Sequence, residues 1–435
     1  MTNPNHPYVD SLLQMMNESP CNFLAVDHIR RLLKAKNFEE KPLDAPLNTK
    51  SGERFFVTKN DSAIFAVKVG RKSPAETGFK IIAAHSDSPC FRIKPHAEIL
   101  SEGGIVRLNT EVYGGPILYT WFDRPLSIAG RVILKGPDAL HPVTRLFNAK
   151  RPLLTISHLA IHFNRAVNEG NPLSKQHDML PIIAQVNNAM ESENMLLRLV
   201  AETLGVATDQ ILDFDLMLYD AQPACTFGLN NEFISSGRLD DLSMAHAAIT
   251  ALLEATDDEA TCVAAIFDNE ETGSGTKQGA GSPVLANILY RIIEDGGGKF
   301  DDFSRAVARS FMISADNAHA FHPNYAAKYD PTNHPALGRG PCIKINANCK
   351  YMTDAHSAAI FKSLCIDAGQ PFQYFVNHSD VAGGSTLGNI LTGQIDIEGV
   401  DVGNPLLAMH SARETASCAD HVAMIQIMKQ FFAKQ

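Results

Sequence analysis

The sequence predicts an α/β protein, a mixed sheet flanked by helices, with an inserted and mainly β segment. Three observations carry this. Apolar strand-type runs alternate with amphipathic helical runs before Glu98 and again after Ala224, the rhythm of a sheet covered on both faces. Between about Glu98 and Ala224 that rhythm gives way to short β-type runs broken by Gly and Pro. Several strand-type runs also stop abruptly on His, Asp or Glu, where open α/β sheets bind their ligands. The expected division is 1–97 and 225–435 for the α/β part, with 98–224 as the insertion.

The elements follow in order. "NFLAVDHIRRLLKAKNF" places Phe23, Val26, Ile29, Leu32 and Leu33 at helical spacing. "RFFVTK" and "SAIFAVKV", separated by Asn60-Asp61, read as a hairpin. "FKIIAAH" is apolar without alternation, as expected of a strand buried on both faces. In the insertion, "GIVRLNTEVYGG", "LSIAGRVILKG" and "RPLLTISHLAIHF" read as β elements. After it, "DDLSMAHAAITALLEAT" is a helix with Leu242, Ala245, Ile249 and Leu252 on one face, and "CVAAIFD" is a strand. "SPVLANILYRIIEDGGG" is a helix with Ser282 as N-cap and Pro283 in its first turn. "FMISAD", "CIKIN", "YFVNH" and "QIDIEGVDVG" are strands, and 413–434 is a closing helix.

Composition narrows the function. A chain of 435 residues exceeds the usual single core, and 45% hydrophobic with 20% charged residues is ordinary for a folded protein. The net charge of −10 argues against a general nucleic-acid binder. No apolar run has transmembrane length, so no membrane partner is expected, and the N-terminus lacks a signal-type pattern. The eight cysteines form no CxxC pair, which suits a reducing cytoplasm.

The strand ends carry the chemistry. "AAHSD" ends on His85 and Asp87, "AIFDNEE" on Glu270 and Glu271, and "MISAD" on Asp316. Asp240 and Asp241 open a helix, and His410 follows the last strand. Each alone has a plain reading: a solvated turn for the glutamates, a helix cap for Asp240. Together at successive strand ends they read as a metal centre. Histidine with carboxylates suits zinc, with manganese or cobalt as substitutes. Five candidate ligands exceed a mononuclear catalytic set, so a two-metal site sharing a carboxylate fits better. One glutamate of the pair then binds metal and its neighbour activates the attacking water, with Gly273 and Gly275 giving the turn its freedom. "GSGTKQGAG" matches neither glycine-rich nucleotide motif, and no GxSxG elbow is present.

At these residues the chain resembles the aspartyl aminopeptidase family of dinuclear zinc metallopeptidases. The resemblance covers almost the whole length through "AAHSDSPC", "YGGPILYTWFDRPLSIAGRV", "ISHLAIHFNR", "RLDDL", "DNEETGS", "ISADNAHAFHPNY", "GPCIKIN" and "LAMHSARE". It implies that His85 and Asp316 hold one zinc, Glu271 and His410 a second, and Asp240 bridges the two ions. It implies Asp87 orienting His85, Glu270 as general base, and substrate contacts from His162, His319, Lys344 and Tyr351. Asp241 departs from the asparagine common in the family and adds a negative charge beside the metals. For Lys344, alternating with Ile343 and Ile345, the plain alternative is the wet face of a strand. The resemblance further implies removal of an N-terminal Asp or Glu from peptides, and a homo-oligomer, a dodecamer built from dimers, with the insertion as dimerisation domain. Two alternatives stand beside it: an aminopeptidase of broader specificity or a deacylase with the same metals, and a non-catalytic assembly protein on the same scaffold.

Overall fold

The structure is a computed structural model that describes residues 6–187, 191, 193–256 and 258–434. The chain divides into two compact units: Met1–Asp87 with Ala224–Met409 and Glu414–Gln435, and Ser88–Pro223 with His410–Arg413.

The first unit is built on a nine-stranded mixed sheet. Its order is Glu39–Glu40, Arg54–Lys59, Ala63–Lys68, Thr261–Phe267, Phe79–His85, Phe311–Ala315, Glu398–Gly403, Cys342–Ile345 and Gln373–Val376. Arg54–Lys59 and Ala63–Lys68 pair antiparallel with Lys59 opposite Ala63, which leaves residues 60–62 as the loop, one residue longer than the Asn60-Asp61 turn read from the sequence; Asn60 and Asp61 both take positive φ there (58° and 54°). The four central strands, from Thr261–Phe267 to Glu398–Gly403, run parallel. Their register aligns the carboxyl ends: Phe267 lies opposite His85, and Ser314 opposite Ala83, which brings Asp316 level with His85.

The parallel strands are apolar on both faces because both faces are covered. Ile82, Ala84, Ala264, Ile266 and Ile313 pack in one core with Leu242, Ala245, Ile249, Ile425 and Met428. Ile81, Ala83, Val263, Ala265 and Met312 join a second core with Leu285, Ile288 and Ile292. Each large apolar side chain so buried contributes roughly 1.5–3 kcal/mol.

The second unit holds a six-stranded antiparallel sheet in the order Val143–Asn148, Leu126–Leu134, Ile211–Asp220, Cys90–Leu100, Ile105–Tyr113 and Ile182–Gln185. Phe91, Leu108, Ile128, Val132, Phe147 and Leu216 form its core with Trp121 and the helical residues Leu196 and Val200. Gly130 is obligatory, since a Cβ there would meet the Asp215 carbonyl oxygen at 1.9 Å.

Four expectations differ from the structure. The boundary between 97 and 98 would cut Cys90–Leu100, a strand that belongs wholly to the six-stranded sheet; the second unit starts at Ser88. "HLAIHF" is not a strand: only Leu154, Thr155 and Ile156 make bridge pairs, and 161–163 is a turn. Ser282 does not cap its helix, which runs Val284–Asp295 from Pro283; the Ser282 hydroxyl donates to the Gly279 carbonyl instead. The closing helix starts at Cys418 because Glu414–Ser417 pairs as a strand with Phe233–Ser236.

No helix among the described residues is long and apolar enough to cross a membrane.

Candidate metal centre

His85 ends its strand and is almost fully buried, with 1% of its surface exposed. Nδ1 lies 3.0 Å from the Asp87 carbonyl oxygen and 3.2 Å from Asp87 Oδ1. That contact leaves Nε2 facing inward, 3.6 Å from Asp240 Oδ1. Orientation of an imidazole through its other nitrogen is the usual device for preparing a metal ligand.

Asp240 and Asp241 lie in the first turn of Leu239–Leu253 but depart from helical backbone, and the peptide between them is cis. Both are buried. Asp240 donates its N–H to Glu414 Oε2 at 3.0 Å. Asp241 accepts the His85 N–H at 3.1 Å and the Asn317 side-chain amide at 3.0 Å. Asn317 also donates to the Leu239 carbonyl at 3.0 Å, which ties this turn to the end of the Asp316 strand. Asp316 donates its N–H to the Val402 carbonyl at 2.9 Å, and only glycine fits at 403, where a Cβ would lie 1.9 Å from the Asp316 oxygen.

Glu270 and Glu271 sit on a single 3-10 turn, Glu270–Thr272, after the strand Thr261–Phe267. Asn269, Gly273 and Ser274 take the left-handed conformation that bends the chain here (φ 61°, 92° and 58°). Gly275, expected to share in the bend, has no positive φ. The Asp87 carboxylate accepts both Glu270 and Glu271 N–H groups at 3.1 Å.

One donor atom each from His85, Asp240, Asp241 and Asp316 lies within 4.8 Å of the others, and so do those of His85, Glu270 and Glu271. The electrostatics are those of crowded carboxylates. Burial first, then Asp316 and other neighbouring carboxylates, push Glu270 up to about 8. Burial followed by Asp240 raises Glu271 well above the carboxylate range. Burial also raises Asp241 and Asp316. At His85 burial favours the neutral ring, but Asp241, Asp240 and Asp87 outweigh it and raise its pKa. Such a cluster calls for a cation, and its nitrogen and oxygen donors fit zinc.

Lys344 is buried, with 3% of its surface exposed, so the wet-face alternative does not hold. Its Nζ lies 3.5 Å from Asp316 Oδ1 and 5.7 Å from the centre of the buried Tyr351 ring. Burial favours neutral lysine, but Asp316, Tyr351 and Asp401 outweigh it and raise its pKa. His319 is exposed at the end of Ala318–His319, its ring edge-on to Phe375 at 5.7 Å. The other two candidates belong to the second unit. There His162 is exposed in the 161–163 turn, and His410 Nδ1 lies 3.1 Å from the Gly115 carbonyl oxygen. Asp241 and Asn317 are the contributors that strand-end logic missed as structural partners; their bonds span long sequence separations.

An α/β sheet with a histidine and several carboxylates at its carboxyl edge defines a metallohydrolase type of site. Residues 15–432 match the family described as aminopeptidase I zinc metalloprotease (M18), and the chain belongs to that family. It is 49% identical over 425 residues to a probable M18 family aminopeptidase 2 of Clostridium novyi, covering 98% of each chain. Its fold is similar to that of Ape4 in a complex with Nbr1 (TM-score 0.94, 34% identity, 98% of this chain and 85% of that one). It is also similar in fold to the S. cerevisiae mApe1 dodecamer (TM-score 0.84, 24% identity, 97% and 95%). The protein is a zinc metalloaminopeptidase of the M18 family.

Proposed function

We propose that this aminopeptidase removes N-terminal Asp or Glu from peptides, using two zinc ions. The observation that carries the specificity is Lys344, a buried cation beside the carboxylate cluster, 3.5 Å from Asp316. A buried ammonium is costly unless paired, and an acidic side chain bound beside Lys344 would give it a second partner besides Asp316. In this reading His85 and Asp316 would hold one ion and Glu271 and His410 the other, with Asp240 as the carboxylate shared between them; these nitrogen and oxygen donors suit zinc. Zinc bound there supplies Lewis-acid charge for the scissile carbonyl and for deprotonation of water.

Glu270 takes the proton from the attacking water and delivers it to the departing amine. Asp87 keeps His85 and the glutamate turn in place. Lys344 and Tyr351 bind the acidic side chain, and His319 contacts the peptide. In this reading His162 comes from a second copy of the chain and completes the site in a dodecamer built from dimers. The compartment is the cytoplasm. The test is a panel of Asp-, Glu-, Leu- and Lys-anilides and an N-acyl amino acid on zinc-loaded enzyme. Hydrolysis led by Asp and Glu supports the reading; a flat profile or faster deacylation overturns it.

A further inference from the structure

Asp401 is a carboxylate that the reaction does not use, and it is fully buried in the strand Glu398–Gly403. Its two oxygens hold two different loops. Oδ2 accepts the Met352 N–H at 2.6 Å, and Oδ1 accepts the Thr386 hydroxyl at 2.7 Å. The Asp401 N–H in turn donates to the Thr353 hydroxyl at 2.8 Å. Two glycines clear the space: a Cβ at Gly388 would lie 2.8 Å from Asp401 Oδ2, and one at Gly399 would lie 2.5 Å from Met352 Cε.

The loops that Asp401 joins follow the two strands at the Lys344 edge. One leaves Cys342–Ile345 and carries Tyr351 directly before Met352. The other leaves Gln373–Val376 and ends at Thr386, the N-cap of Leu387–Leu391. Sheet register puts Lys344 itself beside Asp401, since Ile343 lies opposite Val402 and Cys342 opposite Gly403. Lys344 thus lies beside the carboxylate that accepts the Met352 N–H, the N–H of the peptide joining Tyr351 to Met352.

We infer that Asp401 is a positioning residue for acid recognition: by fixing the Met352 and Thr386 loops it holds Tyr351 against Lys344. The inference rests on the proposed role of Lys344. An apolar residue at 401 would leave a buried N–H without an acceptor, whereas a neutral amide retains one carbonyl oxygen and exchanges the other acceptor for donors. Function and packing are therefore separable by conservative substitution.

The experiment compares wild type with Asp401→Asn, Thr386→Val and Thr386→Ser, all zinc-loaded. It measures kcat and KM on Asp- and Leu-anilides, the inhibition constant of free L-aspartate, zinc per chain and thermal stability. Asp401→Asn is expected to lower the Asp-to-Leu ratio of kcat/KM by roughly tenfold, the scale of one charge-assisted hydrogen bond. The loss falls on KM for the acidic substrate, L-aspartate inhibition weakens in step, and zinc content stays the same. Thr386→Val shifts the same quantities in the same direction by a smaller factor, and Thr386→Ser restores them. Equal losses on Asp and Leu substrates, or an unchanged ratio, overturn the inference. Should Asp401→Asn fail to fold, the Thr386 pair decides alone. A wild-type enzyme without acidic preference overturns the function reading and this inference together; a preference that all variants retain overturns this inference only.

Discussion

Asp87 Oδ1 accepts the Glu270 N–H at 3.1 Å, so one carboxylate sets the backbone of the glutamate turn. The same carboxylate approaches His85 Nδ1 at 3.2 Å. Asp87 therefore couples the two sides of the site through its own short turn. Asp87→Ala is expected to weaken zinc affinity by about 10–100-fold, the range for loss of a partner that orients a ligand. It should also lower kcat at saturating zinc, because Glu270 loses its anchor. Zinc titration followed by kinetics checks both; a change in affinity with full kcat would confine Asp87 to His85.

Glu270→Gln is expected to keep metal and lose turnover. The amide preserves the turn, whose backbone bonds involve Asp87 and not the Glu270 side chain. General acid–base catalysis is worth roughly 10²–10⁴-fold, and the loss should lie in kcat. Metal analysis with kinetics decides it: near-normal kcat at full occupancy removes Glu270 from the role of base.

Part of the histidine–carboxylate cluster was legible because His85, Glu270 and Asp316 follow strands that are neighbours in the sheet, and parallel register brings those strand ends together. His85, Glu270 and Asp316 needed only that rule. Lys344 was named through the family resemblance, but the strand pattern by itself left its burial open. Alternation with Ile343 and Ile345 suggested a wet face, but the strand is paired on both sides, by Glu398–Gly403 and Gln373–Val376, and the lysine is buried against Asp316. Asp241 read as an extra charge beside a bridging carboxylate; its partners, the His85 N–H and the Asn317 amide, lie far away in sequence. The start of the closing helix was missed for a similar reason. Glu414–Ser417 is a strand only because Phe233–Ser236 pairs with it.

Lys344→Met removes the charge and keeps an apolar side chain of similar length. A hydrogen bond to a charged group is worth about 1.5–3 kcal/mol, so the Asp-to-Leu ratio of kcat/KM is expected to fall by roughly 10–100-fold. The Leu substrate should suffer less. An unchanged ratio would refute acid reading by Lys344.

His162 is predicted to act in a neighbouring subunit's site, so its loss should be complemented. His162→Ala and Glu270→Gln homo-oligomers are each expected to be nearly inactive, losing roughly 10²–10³-fold or more as an oxyanion donor or base is removed. A dimer with one subunit of each kind contains one site with intact Glu270 and an intact partner His162. Co-assembled mixtures, verified by two affinity tags, should regain part of the activity. A fully active monomer, or verified mixtures with none, would count against the cross-subunit role.

The last prediction concerns acid stability and lies away from the metals. His246 and His421, on the helices Leu239–Leu253 and Cys418–Ala433, are buried with Nδ1 of the first 3.0 Å from Nε2 of the second. Ser11 Oγ lies 2.9 Å from His246 Nε2. Burial, then the charge of His28, pulls His246 down to about 3. Burial, then His246 and His6, holds His421 well below the usual imidazole range. Both rings are therefore neutral in the fold, while in the unfolded chain each takes up a proton near pH 6.5. A depressed folded value means that stability is intact above about pH 6.5 and declines below it, a window that for His246 extends down to about 3. The slope approaches about 1.4 kcal/mol per pH unit for each such histidine. His246→Phe removes one titrating ring from the contact among these two helices and Pro7–Glu18, the helix that carries Ser11. Its unfolding free energy should start lower at neutral pH, through loss of two hydrogen bonds, yet fall less steeply as the pH drops. Denaturant unfolding of wild type and variant between about pH 7 and about pH 5 tests this, with carboxylates and metal ligands common to both proteins. Parallel pH profiles would mean that His246 titrates normally in the fold, and that the burial of this pair does not govern acid sensitivity.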